Sequence, residues 1–303
     1  MKHKQKTIAE KISFEGIGLH SGINSKVTLK PAKDNEGIIF SRYVNGQLHS
    51  IPGDFHHISQ SNLCTTIKSN NGKIKVLTIE HLLAAIKGND IDNIEILVEK
   101  EEIPALDGSA LEFDKIIKKA KVISQSEYKK FLSIKKHITI KKNKSIIDMY
   151  PSDKLVIECI IDFPTPIGIQ KIKLGDSSHK IYEEVLKART FCFFDDVEKM
   201  REIGLAKGGS LKNAVVIKNK TILNKNGLRT RDEFVKHKVL DMLGDFSLIN
   251  YNIKAKIKAV CPGHEINKLA MQEIFSDFSN YNILQHRNKV EAYNSKIFMP
   301  ACN

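Results

Sequence analysis

No stretch of these 303 residues is long and apolar enough to cross a bilayer, which takes roughly 20 consecutive apolar residues in a helix. The N-terminus, Met1 to Ile8, is basic but has no apolar run of the signal-peptide kind. A cytoplasmic chain is expected. Cysteine is sparse: Cys64, Cys159, Cys192, Cys261 and Cys302 are scattered, odd in number and never in CxxC spacing. That pattern argues for reduced thiols and against a disulfide frame or a cysteine zinc site. The zinc-protease signature HExxH and its inverse are both missing. Gly16, Gly18 and Gly22 surround His20, but no strand–helix unit with a downstream acid follows, so a dinucleotide motif is excluded. No aromatic-and-basic RNA motif or recognition helix accompanies the formal net charge of +13.

That charge would suit nucleic acid, an anionic lipid surface or a phosphorylated substrate. Its distribution favours a blander account. Lys254, Lys256 and Lys258 alternate with Ala255, Ile257 and Ala259, as on the solvent face of a sheet. Most of the charge is therefore read as surface, with a minority serving an anionic ligand. Hydrophobic residues at 41% and charged residues at 27% are the balance of a soluble globular protein.

Patterns of strands followed by paired helices occur twice, which predicts an α+β fold with two domains of similar plan. Each would pack β-sheet layers on a pair of helices and carry a small insertion. The composition change at Ser124–Glu127 reads as a linker, dividing the chain into 1–125 and 126–303. The irregular Asp162-Phe163-Pro164-Thr165-Pro166 opens the expected second insertion, near 162–180. Thr78 is a candidate N-cap for a helix ending at Gly88, and Ser109 with Glu112 forms a capping box for the next. Asp195 is expected to cap a helix that stops at Gly204, and a last amphipathic helix begins at His264.

One helix organises the rest. Thr230 and Glu233 form a capping box that predicts a start at Arg231. Val235, Val239, Leu240, Met242, Leu243 and Phe246 share an apolar face, while His237, Asp241 and Asp245 follow at four-residue steps. Such steps turn about 40° each, so these three form a narrow polar stripe. His237 and Asp241 can reach one metal ion, and a catalytic zinc site takes three protein ligands plus water. His81, beside Glu80 in the first turn of its helix, is the best candidate for the third. A solvated acidic stripe remains the open alternative on these residues alone.

Further motifs occur in order. They are Gly18-Leu19-His20-Ser21-Gly22, Glu80-His81-Leu82-Leu83-Ala84-Ala85, Pro104-Ala105-Leu106-Asp107-Gly108-Ser109-Ala110 and Ala188-Arg189-Thr190-Phe191. Gly208-Gly209-Ser210, His237-Lys238-Val239-Leu240-Asp241, Gly244-Asp245 and Gly263-His264 follow. Each is weak alone. The ordered set resembles the UDP-3-O-acyl-N-acetylglucosamine deacetylase family, LpxC, the zinc amidases that commit Gram-negative bacteria to lipid A synthesis.

The resemblance implies an active site at the domain interface with His81, His237 and Asp241 as ligands to one Zn2+ per chain, Fe2+ being the alternative ion. It makes Glu80 the general base, His264 the general acid, Asp245 the carboxylate that orients His264, and Thr190 a hydroxyl for the oxyanion. Phe191, Lys238, Gly209 and Ser210 match positions near the sugar nucleotide and acyl passage, and Cys64 a cysteine near the metal that is not a ligand. The implied substrate is UDP-3-O-acyl-N-acetylglucosamine, handled by a monomer that binds no nucleic acid and inserts in no membrane. Cys192 and Ala206 occupy acyl-passage positions where other small residues are expected. The segment from Asp162 to His179 is the expected wall of the acyl groove. Asp107 reads as a turn residue ahead of Ser109; His20 reads equally as a cleft or a structural residue. A zinc amidase of other specificity and a basic nucleic-acid-binding protein are the competing readings.

Overall fold

Alternation of apolar and polar residues builds two main antiparallel-rich sheets. The computed structural model describes residues 4–59, 63–175 and 179–285. In the first half a five-stranded sheet runs Ile12–Ile17, Asn24–Pro31, Ile94–Val98, Ile38–Val44, Gln47–Pro52, with Ile94–Val98 parallel to Ile38–Val44. In the second half a seven-stranded sheet is centred on Asn252–Val260, which pairs in parallel with both Lys130–Ile134 and Val156–Phe163. Ile253, Ala255, Ile257 and Ala259 of that central strand are buried. The alternating lysines face outward, and Lys256 pairs with Glu158 at 3.1 Å. This is the solvent face that the spacing predicts.

Six α-helices follow among the described residues: α1 Glu80–Gly88, α2 Leu111–Lys119, α3 His179–Leu186, α4 Phe194–Glu202, α5 Glu233–Phe246 and α6 His264–Ser276. Helices α1 and α2 pack together beside the first sheet, and α5 and α6 beside the second. The fold class is α+β, as expected. No helix of the described residues is long and apolar enough to cross a membrane.

Helices α1 and α5 pack closely against each other. Leu82 to Ile86 are apolar all round α1 and fully buried, which is how a core helix reads. In α5 every residue but Lys238 is buried, so the stripe of His237, Asp241 and Asp245 is not a solvated face. Gly244 permits the contact: a Cβ there would lie 2.1 Å from the carbonyl oxygen of Glu80.

Several expected boundaries move, each for a physical reason. The capping box of α5 does not close, and the helix starts at Glu233 rather than Arg231. The Glu233 carboxylate instead takes Arg189 Nε at 2.8 Å, Arg189 Nη2 at 3.0 Å and the Arg229 N–H at 2.6 Å. Thr78 does not cap α1: its φ is +58° and its hydroxyl donates to Glu102 at 2.9 Å. Asp195 lies inside α4, which has no side-chain cap. The supposed linker at 124–127 is part of a strand, Val122–Tyr128, paired antiparallel with Lys4–Ile8. Its polar residues are there to be bonded, with Gln125 Nε2 donating to Ala32 O at 2.9 Å and Ser126 Oγ to Asp34 at 2.7 Å.

The segment 162–180 holds the turn and second strand of a hairpin, Val156–Phe163 with Gly168–Leu174, attached to the main sheet. Residues 176–178 lie outside the described residues. A separate three-stranded sheet comes later, Phe191–Phe193, Val215–Lys218 and Thr221–Ile222, with α4 packed on it. The first half carries its own small sheet, Ile58–Ser59, Thr66–Lys68 and Lys75–Val76.

Candidate active site

The crossing of α1 and α5 brings the charged residues of both helices to one place. Glu80 and His81 occupy the first turn of α1, while His237 and Asp241 lie one turn apart on α5. One ligand atom from each of His81, His237 and Asp241 lies within 4.8 Å of the others, and all three residues are buried. His237 Nε2 is 3.4 Å and His81 Nε2 is 3.7 Å from the same oxygen, Asp241 Oδ1. That oxygen is buried and has no hydrogen-bond partner. Leaving a buried carboxylate oxygen unpaired is costly, so the trio is arranged as a cation would require. Two neutral imidazoles and a carboxylate are also the donor set that suits zinc.

The surroundings prepare those donors. His237 Nδ1–H donates to the Ala188 carbonyl at 3.1 Å, which leaves its Nε2 lone pair facing Asp241. Burial pushes the His237 imidazolium down to about 3, with Asp241 opposing, so the ring is neutral. Asp241 is held well below the usual carboxylate range: burial works against its charge, but the Lys238 ammonium beside it outweighs that. Lys238 Nζ donates to Asp241 Oδ2 at 2.9 Å. The same ammonium lies 5.7 Å from the centre of the Phe191 ring. That ring in turn meets the His237 ring edge-on at 6.0 Å.

Across the site are a second carboxylate and a histidine. Glu80 is 3% exposed, and burial raises its pKa. Its Oε1 lies 3.8 Å from His264 Nε2, at the first residue of α6. His264 Nδ1 bonds Asp245 Oδ2 at 2.9 Å. Burial disfavours the His264 imidazolium, yet the adjoining Asp245 charge, then Glu80, carry it up to about 10. A buried carboxylate thus faces a histidine that keeps its proton at neutral pH.

The other expected residues fall into two groups. Thr190, Phe191, Gly209 and Ser210 line a cavity of about 510 Å³ with apolar walls from Phe163, Phe193, Met200 and Val216. Much of its lining comes from α4, the strands Phe191–Phe193 and Val215–Lys218 and the loop between α4 and Val215, with Leu19, His20 and Leu63 from the first half; of the described residues of the segment 162–179, only Phe163 contributes. Cys192 and Ala206 line it too. Cys64 is buried beside a smaller pocket shared with Asp245 and His264. The four cysteines of the described residues are thiols; Cys302 lies outside them. His20 lines the apolar cavity, is 6% exposed and has both ring nitrogens unpartnered. Asp107 is a turn residue: it accepts from Ser109 N at 3.1 Å and pairs with Arg229 at 2.8 Å.

Two residues of the site escaped the sequence reading. Asn267 Nδ2 donates to Asp245 Oδ2 at 2.7 Å, and Thr65 Oγ1 donates to Asp245 Oδ1 at 2.5 Å. Asn267 was findable, since it follows His264 by three residues on one helix face. Thr65 had no such signal.

Similarity to known proteins gives the family. Residues 5–276 match the family described as LpxC, UDP-3-O-acyl N-acetylglycosamine deacetylase. The chain is 38% identical to the UDP-3-O-acyl-N-acetylglucosamine deacetylase of Helicobacter hepaticus over 289 residues, 95% of each chain. It is 40% identical to that of Nautilia profundicola over 272 residues, 89% of this chain and 91% of that one. The Myxococcus xanthus enzyme of the same name is 37% identical over 288 residues, 95% of this chain and 91% of its own. The chain belongs to the LpxC family of UDP-3-O-acyl-N-acetylglucosamine deacetylases, hydrolases that act on an amide bond.

Proposed function

We propose that this protein removes the N-acetyl group of UDP-3-O-acyl-N-acetylglucosamine, releasing acetate and UDP-3-O-acyl-glucosamine in lipid A synthesis. The observation that carries the reading is the convergence of His81 and His237 on one buried, unpartnered carboxylate oxygen of Asp241. It is supported by the family match over residues 5–276. In this reading His81, His237 and Asp241 hold one Zn2+, Fe2+ being the alternative. Such an ion would supply Lewis acidity there, the chemistry by which zinc makes water a nucleophile near neutral pH.

The chain's own residues supply the rest. Glu80, ionised, takes a proton from the attacking water. His264 donates from Nε2 to the departing amine, which is otherwise too basic to leave. Asp245 holds the opposite Nδ1–H and so fixes which nitrogen works. The Thr190 hydroxyl donates to the oxyanion as it forms, a contact whose loss costs about 3–4 kcal/mol in comparable enzymes. Lys238, Phe191, Gly209, Ser210 and Cys64 surround the substrate, and the cavity of about 510 Å³ takes the acyl chain. Domains of 1–125 and 126–303, a cytoplasmic location and a monomeric state belong to the same proposal.

The direct test is acetate release from a defined UDP-3-O-acyl-N-acetylglucosamine, with metal content measured on the same sample. One zinc per chain is expected, with activity lost on chelation and restored by added zinc. Activity that survives removal of the metal would contradict the mechanism. Salt-dependent nucleic-acid binding without acetate release would favour the competing class.

The pH profile follows from the two shifted groups. Glu80 must be ionised, so activity falls as pH drops through its pKa, and burial puts this acid limb above the ordinary glutamate range. His264 must be protonated, so activity falls as pH rises through its pKa, which lies well above the ordinary histidine value. Asp245→Asn removes the main stabilising charge, so the alkaline limb of kcat/KM against pH should move toward lower pH. An alkaline limb left in place by Asp245→Asn would remove His264 from the role of acid.

A further inference from the structure

A histidine can give a proton from Nε2 reliably only if Nδ1 is held in its protonated, donating state and the ring cannot turn. Asp245, 1% exposed, presents two oxygens. Oδ2 accepts from His264 Nδ1 at 2.9 Å and from Asn267 Nδ2 at 2.7 Å. Oδ1 accepts the Thr65 hydroxyl proton at 2.5 Å. The same hydroxyl oxygen is 3.1 Å from His264 Nδ1. Having given its only proton to Asp245, the hydroxyl can act toward His264 only as an acceptor. Both neighbours of Nδ1 therefore require a hydrogen there, and Nε2 is left as the nitrogen facing Glu80.

Thr65 also reaches the other side of the site. Its backbone N–H donates to Glu80 Oε2 at 3.0 Å, which leaves Oε1 as the oxygen nearest His264. Thr65 is 3% exposed and immediately precedes the strand Thr66–Lys68 of the first half, whereas Asp245 and His264 come from the second half. One residue thus touches the carboxylate, the histidine and the carboxylate behind the histidine, and bridges the two halves of the chain in doing so.

We propose that Thr65 is a positioning residue for the deacetylation. Its hydroxyl locks Asp245 and the Nδ1–H form of His264, while its N–H locks the rotamer of Glu80. The inference rests on the reading of Glu80 as base and His264 as acid. Thr65 touches no reacting atom and is not itself catalytic.

Thr65→Val keeps the side chain's shape and the backbone N–H, and deletes only the hydroxyl. Its kcat should fall roughly 10- to 100-fold, the usual effect of removing a group that orients an active-site ligand. KM and zinc content should stay near those of the parent, while the melting temperature drops by a few degrees because Asp245 Oδ1 loses its hydrogen bond. Thr65→Ser, which restores the hydroxyl, should recover kcat to within about threefold. Thr65→Ala is the second deletion and carries the test if the valine variant does not fold. A folded, zinc-loaded deletion variant with kcat within about twofold of the parent would overturn the proposal, as would a serine variant as slow as the valine one. The parent and His264→Gln separate this from the reading beneath it. A parent that releases no acetate, or His264→Gln at full rate, defeats both. A working parent with a slow His264→Gln and an unimpaired Thr65→Val defeats only the role of Thr65.

Discussion

Glu80→Gln should leave a folded, metal-loaded protein whose kcat is lower by on the order of 10²–10⁴, the range for losing a positioned general base. The substitution is nearly isosteric, and an amide oxygen can still accept the Thr65 N–H that now meets Glu80 Oε2. What it removes is the ability to take a proton. The fold should tolerate the change, because burial already disfavours the ionised carboxylate and a neutral amide escapes most of that cost. Glu80 is not one of the three clustered ligand candidates His81, His237 and Asp241, so zinc content should be unchanged. KM should move little, since the interaction lost develops only as the water is deprotonated. Acetate release, bound zinc and thermal denaturation on one preparation decide the matter. A variant that keeps the parent's kcat would take Glu80 out of the mechanism, and one that loses its zinc would make it a structural residue.

How much of this site could be read from the residues depends on whether the determining contact is local. The i, i+4 spacing of His237 and Asp241 sufficed to place both on one helix face, and the helix duly brings them within 3.4 Å. The choice of His81 as their companion needed more, because it comes from a helix about 150 positions earlier and only the crossing of α1 and α5 brings it near. The capping box of α5 failed because a tertiary partner competed for its carboxylate: Glu233 is withdrawn from Thr230 by the buried Arg189. The polar run at 124–127 looked like a linker because its partners, Ala32, Asp34 and Asn93, are distant in sequence. Thr65 was invisible for the same reason, since it lies 180 residues from Asp245. The cavity was misplaced because an irregular segment, 162–180, looked more like an insertion than α4 with its small sheet did.

Gly244→Ala should both destabilise the protein and lower kcat, although helix propensity alone predicts the opposite. Replacing glycine by alanine inside a helix is ordinarily favourable by about 1 kcal/mol. At this position the added Cβ would stand 2.1 Å from the Glu80 carbonyl oxygen, 2.7 Å from its carbon and 3.0 Å from its Cα. All three obstacles are backbone, so no side chain can turn aside. Carbon contacts relax at about 3.5–4.0 Å, and α1 and α5 must therefore part by more than about 1 Å. Overpacking of this kind costs about 1–3 kcal/mol or more, which outweighs the propensity gain. The catalytic loss should be larger than the loss of stability, because the helices that separate carry Glu80 and His81 on one side and His237 and Asp241 on the other. A misplacement of about 1 Å in a catalytic constellation can cost on the order of 10²-fold in rate. The expected result is a lower melting temperature, weaker retention of zinc against a chelator, and a kcat reduced by about that factor. If Gly244→Ala melts at or above the parent temperature and turns over at the parent rate, the close crossing of α1 and α5 is not what assembles the site.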